Sequence, residues 1–173
     1  WIQYREKNKS RREMYEEVER LRRITRQFNA VLIVNDHTDI ALAAEADGVH
    51  LGQDDLPINE ARKILGNKKI IGVSTHNIEQ AIEAEEAGAD YIGFGPVFNT
   101  LTKDAGTAKG VEMLAEVKRR VNIPVVAIGG INHANLESVI DSGADAVAVA
   151  SAILKGDISK NSENFLRLLR RNA

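Results

Sequence analysis

Residues 35–55 read NDHTDIALAAEADGVHLGQDD, and this stretch decides the fold. The apolar run Val31-Leu32-Ile33-Val34 leads into Asn35 and Asp36, and a second run, Val49-His50-Leu51, leads into Gln53, Asp54 and Asp55. Between them, residues 39–45 read as a short helix. The pattern is strand, helix, strand, with a carboxylate leaving the C-terminal end of each strand. In a parallel α/β sheet those ends lie on one face. Asp36 and Asp55 can therefore share a hard cation such as Mg²⁺, which takes one or two carboxylates and leaves room for phosphate oxygens. The same residues also suit a helix cap at Asp36 and a solvated turn at Asp54-Asp55, and this stretch alone leaves both readings open.

Working outward, the pattern repeats. ADGVHLG from Ala46, ADYIGFG from Ala89 and ADAVAVA from Ala144 share one form, and glycines at 88 and 143 precede two of them. Each reads as a helix end, an Ala-Asp turn and a buried strand with small residues. Strands that are apolar throughout and alternate with helices indicate a parallel sheet covered by helices. The chain reads as seven strands, at 1–4, 31–34, 49–51, 70–73, 91–94, 124–128 and 146–149. Seven helices fall at 10–28, 39–45, 57–66, 78–87, 110–120, 135–141 and 163–171. Ser10 with Glu13 has capping-box spacing, and Met14, Val18, Leu21 and Ile24 keep helical spacing after it. The expectation is a single-domain α/β protein over residues 1–173, a (β/α)₈ TIM barrel. Because the chain opens in mid-strand, the first strand–helix unit is expected to be missing from it. An open doubly wound sheet is the alternative.

Composition narrows the function. The net charge is −2 and charged residues make up 28%, so no electrostatic case exists for nucleic acid or an anionic membrane. There is no cysteine, which excludes disulfides, thiolate metal sites and cysteine nucleophiles and allows a reducing compartment; the expected location is cytoplasmic. No apolar run is long enough to span a bilayer, and charge follows Trp1-Ile2-Gln3-Tyr4 at once, unlike a signal peptide. No zinc spacing, Walker motif or dinucleotide fingerprint occurs. Small-molecule substrates are the expected partners, with a homo-oligomer left open.

In a barrel the active site lies at the C-terminal strand ends. Those ends carry Arg5 and Lys7; Asn35 and Asp36; Gln53 and Asp55; Ser74 and His76; then Thr100, Thr102 and Lys103. Gly129-Gly130 and Ala150-Ser151 complete the series, small enough for backbone N–H groups to approach a ligand. Cations, two carboxylates and small residues together suit a diphosphate with Mg²⁺ and a second phosphate. Arg5 and Lys7 also read as surface charges, Lys103 as a solvated loop lysine, the glycine pair as a turn, and Ser74 or His76 as helix caps. His50 reads as a hydrogen-bonded core residue, and His37 and His133 as surface.

The segments IQYREK, VNDHTDIALAAEADGVHLGQDDLP, IIGVSTHN, GADYIGFGPVFNTLTKD, VVAIGGI and VASAI occur in order over nearly the whole chain. Together they resemble the thiamine phosphate synthase family. The resemblance implies a (β/α)₈ barrel and a transferase. Its reaction joins 4-amino-5-hydroxymethyl-2-methylpyrimidine diphosphate to 4-methyl-5-(2-phosphoethyl)thiazole, giving thiamine monophosphate and pyrophosphate by a carbocation-like substitution. It implies that Gln3, Tyr4, Arg5, Glu6, Lys7 and Asn35 bind the pyrimidine diphosphate and that Asp36 and Asp55 hold Mg²⁺. Ser74 and Lys103, with Arg5 and Lys7, would serve the chemistry and the departing pyrophosphate. Thr100, Leu101 and Thr102 would line the thiazole phosphate site, with Gly130, Ala150 and Ser151 on its phosphate. The sequence departs from the family at Tyr4, at His37 and in a lone Lys103 in a slightly shortened loop. A thiazole tautomerase of the same fold, associated with a histidine near His76, is the runner-up. A regulatory barrel that binds thiazole or thiamine phosphate without turnover, and a sugar-phosphate isomerase on the same barrel, are further alternatives.

Overall fold

The computed structural model describes residues 1–100 and 106–171. Among them strands and helices follow in the order β1 (Ile2–Tyr4), α1 (Arg11–Gln27), β2 (Leu32–Asn35), α2 (Thr38–Ala43), β3 (Gly48–Leu51), α3 (Ile58–Leu65) and β4 (Ile70–Thr75). There follow α4 (Ile78–Glu86), β5 (Tyr91–Phe94), α5 (Gly110–Arg120), β6 (Val125–Ile128), α6 (Leu136–Asp141), β7 (Ala146–Ala148), α7 (Ser151–Leu154) and α8 (Ile158–Arg171). The seven expected strands are present. The helix count is corrected from seven to eight: α7 is an additional four-residue helix, and the last helix begins at Ile158 rather than 163. Four residues are too few to show a helical period in sequence. What closes α7 is a later side chain, Asn161, whose Nδ2 donates to the carbonyls of Ile153 and Lys155.

The chain packs as two compact units. The first comprises Trp1–Ser74 with Glu86–Tyr91. Its strands run in the order β1-β2-β3-β4, and all are parallel. Leu32, Val34, Val49 and Ile71 are fully buried between sheet and helices. Helix α1 starts at a complete capping box between Ser10 and Glu13. It buries Met14, Val18 and Thr25, whereas Ile24, expected on the stripe, is half exposed. Seven residues at about 100° each return the helix nearly to the same azimuth, so Thr25 lies in line with Val18 and Ile24 falls on the edge.

The second unit comprises Thr75–Glu85 and Ile92 onward. Strands β5, β6 and β7 are parallel, with Gly93 opposite Val126 and Ala127 opposite Val147. Ile92, Phe94, Leu114, Val117, Val125, Leu136 and Val139 form its core.

The repeated Ala-Asp turn has one physical job in all three copies. Asp47 N–H donates to Leu32 O, and its carboxylate accepts from Leu32 N–H at 2.8 Å and from both terminal nitrogens of Arg22. Asp90 does the same to Ile71, with Arg62 as the cation. Asp145 does it to Val125, with Lys118 as the cation. Each aspartate thus ties the start of its own strand to the start of the preceding one and to a helix. A carboxylate accepting a backbone N–H and a cation together makes the stronger, charge-assisted kind of bond.

Burial alone would raise the Asp145 carboxyl, but Lys118 and the Val125 N–H outweigh it and hold it below its ordinary value of 3.8. A depressed folded-state value means stability that is present above that ordinary value and is lost as pH falls through the depressed one. Asp145→Asn is therefore expected to flatten the acid limb of a stability-versus-pH curve below about pH 4. Acid titration followed by circular dichroism checks this; an unchanged acid limb would show that Asp145 takes no part in it.

Candidate active site

The first unit gathers charge at the C-terminal ends of its strands. Asn35 ends β2, opposite His50 of β3. Asp36 follows with φ +63°, a left-handed conformation that Asp tolerates better than most residues, and its N–H donates to His50 O. That turn sends the carboxylate back over the strand ends rather than onto α2, whose N-cap is His37 with no side-chain cap bond. The capping reading of Asp36 is therefore set aside. Lys7 Nζ lies 2.5 Å from Asp36 Oδ2. Asp55 Oδ2 accepts from Gly52 N–H at 2.6 Å, which fixes the turn after β3, and its carboxylate interacts with that of Asp36.

Two carboxylates in contact titrate apart. Burial raises Asp55 and the Asp36 charge adds to it, with the Gly52 N–H acting against them. Burial also acts to raise Asp36, but hydrogen bonds from Lys7 and with Asp55 hold it below the ordinary carboxylate value. Two carboxylates against one ammonium leave a net negative, partly buried site of oxygen donors only. That donor set fits a hard divalent cation. Among the described residues no group of three or more His, Cys, Asp or Glu side chains could hold a metal. A cation here would take two protein ligands and complete its shell with water and phosphate oxygens, the habit of Mg²⁺.

The other expected residues of this unit divide. Gln3 and Arg5 are exposed at and beyond β1. Glu6 accepts the backbone N–H groups of Lys7 and Asn8 and so shapes the turn that carries Lys7. The Tyr4 hydroxyl donates to Glu17 Oε2 at 2.7 Å, and burial followed by that bond pushes the phenol well above its ordinary range. Ser74 Oγ lies 2.9 Å from His50 Nε2, while Gln53 Nε2 donates to Ser74 O. The capping reading of Ser74 does not hold, because Asn77 Oδ1 accepts the Gln80 N–H at the start of α4. His50 is buried and hydrogen-bonded, as its place inside a strand predicts.

In the second unit, Gly129 and Gly130 have φ of +99° and +66°. A Cβ on Gly129 would lie 2.5 Å from Pro96 and one on Gly130 would lie 2.6 Å from Asn99 O, so both positions demand glycine. The pair does not open directly into a helix: α6 begins at Leu136, and Asn132 and Asn135 donate to Gly130 O in between. Ala150 is the N-cap of α7 and Ser151 its first residue. Thr100 is half-buried. Leu101, Thr102 and Lys103 lie outside the described residues. His76, in this unit, donates from Nδ1 to Gly95 O at 2.6 Å. His133 is exposed and stacks on Phe165.

The family described as thiamine monophosphate synthase matches residues 1–153. The chain belongs to this family. A thiamine-phosphate synthase of Methanosarcina barkeri is 50% identical over 172 residues, covering 98% of this chain and 78% of the relative. That of Chloroflexus aurantiacus is 50% identical over 169 residues, covering 97% and 78%. The solved structure of thiamine phosphate pyrophosphorylase from Pyrococcus furiosus superposes with a TM-score of 0.93 at 44% identity, over 99% of this chain and 83% of that one. Among the described residues no helix is long and apolar enough to cross a membrane.

One residue of this site was not found by sequence reasoning. Tyr91 hydrogen-bonds to His50 from the start of β5. The available signal was Gly72, a glycine inside a strand, which marks the close approach of another group.

Proposed function

We propose that this chain is a transferase that joins 4-amino-5-hydroxymethyl-2-methylpyrimidine diphosphate to 4-methyl-5-(2-phosphoethyl)thiazole, yielding thiamine monophosphate and pyrophosphate. The observation that carries the reading is the Lys7–Asp36–Asp55 cluster, two carboxylates and an ammonium at adjacent strand ends. The proposed fold is the (β/α)₈ barrel of the family, of which these strands would be seven. Phosphorylated substrates do not cross membranes unaided, so the proposed location is cytoplasmic.

In the proposed reaction the bond between the pyrimidine methylene carbon and a diphosphate oxygen breaks, and its electron pair leaves with pyrophosphate. The electron-rich aminopyrimidine stabilises the positive carbon, and the thiazole nitrogen donates its lone pair to form the new C–N bond. No protein nucleophile is needed, in keeping with a chain that has no cysteine. Asp36 and Asp55 would hold Mg²⁺, which when bound supplies positive charge against the diphosphate oxygens. Arg5 and Lys7 would bring cations to the same leaving group, electrostatic stabilisation of charge that grows in the transition state. Lys103 is assigned to it as well. Gln3, Asn35 and Ser74 orient the pyrimidine diphosphate, with Tyr4 and Glu6 shaping the segment that carries Arg5 and Lys7. Thr100, Leu101, Thr102, Gly130, Ala150 and Ser151 are assigned to the thiazole phosphate.

The test is pyrophosphate release with both substrates present, with and without Mg²⁺. The expected result is Mg²⁺-dependent release matched by thiamine monophosphate formation. Interconversion of thiazole carboxylate phosphate tautomers without release would instead assign the tautomerase activity and direct attention to His76.

A further inference from the structure

His50, in β3, stands opposite Gly72 of β4. Its two ring nitrogens are both engaged: Nδ1 lies 2.9 Å from the Tyr91 hydroxyl and Nε2 lies 2.9 Å from Ser74 Oγ. Tyr91 reaches His50 by crossing β4 above Gly72. A Cβ on Gly72 would fall 2.1 to 2.5 Å from the ring and hydroxyl atoms of Tyr91, so any larger residue there would close the passage. Trp1 packs edge-on against the same ring at 5.6 Å and covers it.

The protons along this chain of bonds can be assigned. A neutral imidazole has one N–H donor and one acceptor nitrogen. Tyr91 is 6% exposed, and His50 is the sole hydrogen-bond partner of its hydroxyl among the described residues. Burial pushes the Tyr91 phenol well above its ordinary range, so it keeps its proton. A buried hydroxyl proton with nowhere to go is costly, and among the described residues only His50 Nδ1 can take it. The remaining ring proton is then on Nε2 and is donated to Ser74 Oγ. An oxygen that accepts along that line must send its own proton elsewhere. Ser74 is only half-buried, so that proton is available to a ligand.

We infer that Tyr91 and His50 are positioning residues that make Ser74 a committed hydrogen-bond donor. The ligand atom facing Ser74 must then be an acceptor, such as a pyrimidine ring nitrogen or a phosphate oxygen, and not an amino group. This deepens the proposed function and rests on it for the identity of the ligand, but the proton assignment does not.

Imidazole nitrogen-15 spectra of the full chain test the assignment directly, with the His50 signals identified by their loss in His50→Gln. The expected result is a neutral ring protonated at Nε2 and bare at Nδ1. A ring protonated at Nδ1 overturns the inference whether or not the protein turns over. Tyr91→Phe keeps the aromatic ring over Gly72 but removes the donor. It is expected to lose the Nε2–H signature and to weaken binding of the pyrimidine diphosphate, titrated calorimetrically, by about five- to tenfold, the worth of one net hydrogen bond. Binding of the thiazole phosphate should change by less than about twofold, since no hydrogen bond to it is removed. A Tyr91→Phe protein with unchanged pyrimidine diphosphate affinity, or with both affinities lowered alike, overturns the positioning role. Failure of wild-type protein to release pyrophosphate, with the Nε2–H ring intact, would count against the proposed reaction and leave the relay standing.

Discussion

Asp36→Asn is expected to lower pyrophosphate release by about 100-fold at a fixed, sub-saturating Mg²⁺ concentration, the scale on which loss of one preorganised electrostatic group acts. Asparagine is the informative replacement because it tolerates the left-handed φ of +63° that Asp36 adopts. Alanine would add about 1 kcal/mol of backbone strain at that conformation and blur the reading. The substitution removes one of two carboxylates and leaves Lys7 without its 2.5 Å counter-ion. In the proposed site Asp55 alone would hold the cation less tightly, so the Mg²⁺ concentration for half-maximal rate should rise. Steady-state rates across a Mg²⁺ titration measure both effects. A variant with the parent's rate and the parent's Mg²⁺ curve would remove Asp36 from the proposed metal site and from the proposed chemistry.

The second large effect is on stability. Asp47→Ala is expected to destabilise the fold by about 2–3 kcal/mol, below the 3–5 kcal/mol of a fully buried pair because this one is partly exposed. Arg22 and Asp47 side chains are 16% and 29% exposed. The substitution strips a two-armed partner from Arg22 and leaves the Leu32 N–H at the start of a buried strand without its acceptor. At this chain length each kcal/mol corresponds to about 2–4 °C, so the Tm should fall by about 5–10 °C. Thermal unfolding by calorimetry checks it. Exposed pairs offer a contrast: Arg23→Ala, which breaks a surface contact with Glu19, should move Tm by less than about 2 °C. Equal effects from the two variants would mean that Asp47 is no more than another surface charge.

Much of the architecture was legible because its signals are local. Capping at Ser10 and at Asn77, helix stops at Gly66 and Gly88, and apolar runs of strand length are properties of a few neighbouring residues. The Ala-Asp repeat was legible as a pattern. That each aspartate grips the preceding strand and a helix cation was not, since the partners lie 15 to 28 residues away. Ile24 shows the limit in the other direction: spacing alone put it on the buried stripe, and the sheet under α1 chose Thr25.

The candidate site divides the same way. Acidic residues just past strand ends pointed to Asp36 and Asp55 because strand direction fixes where those ends lie. The residues also carry the family resemblance, which rests on sequence alone. Whether Asp36 caps a helix or turns back over the strand ends depended on one backbone dihedral angle, which only the folded chain shows. The same holds for Ser74, which sequence left between a cap and a ligand contact, and which the fold joins to His50 and Tyr91.

By itself, then, the sequence determined the alternation of strands and helices, the family, and which charged residues stand at strand ends, since periodicity, turn chemistry and strand polarity act over a few residues. The tertiary structure decided which of those residues touch. It set Lys7 against Asp36 across 29 positions of chain and opened, above Gly72, the passage by which Tyr91 reaches His50. Contacts of that range follow from how neighbouring strands register and how closely their side chains can pass, and no local pattern encodes that distance.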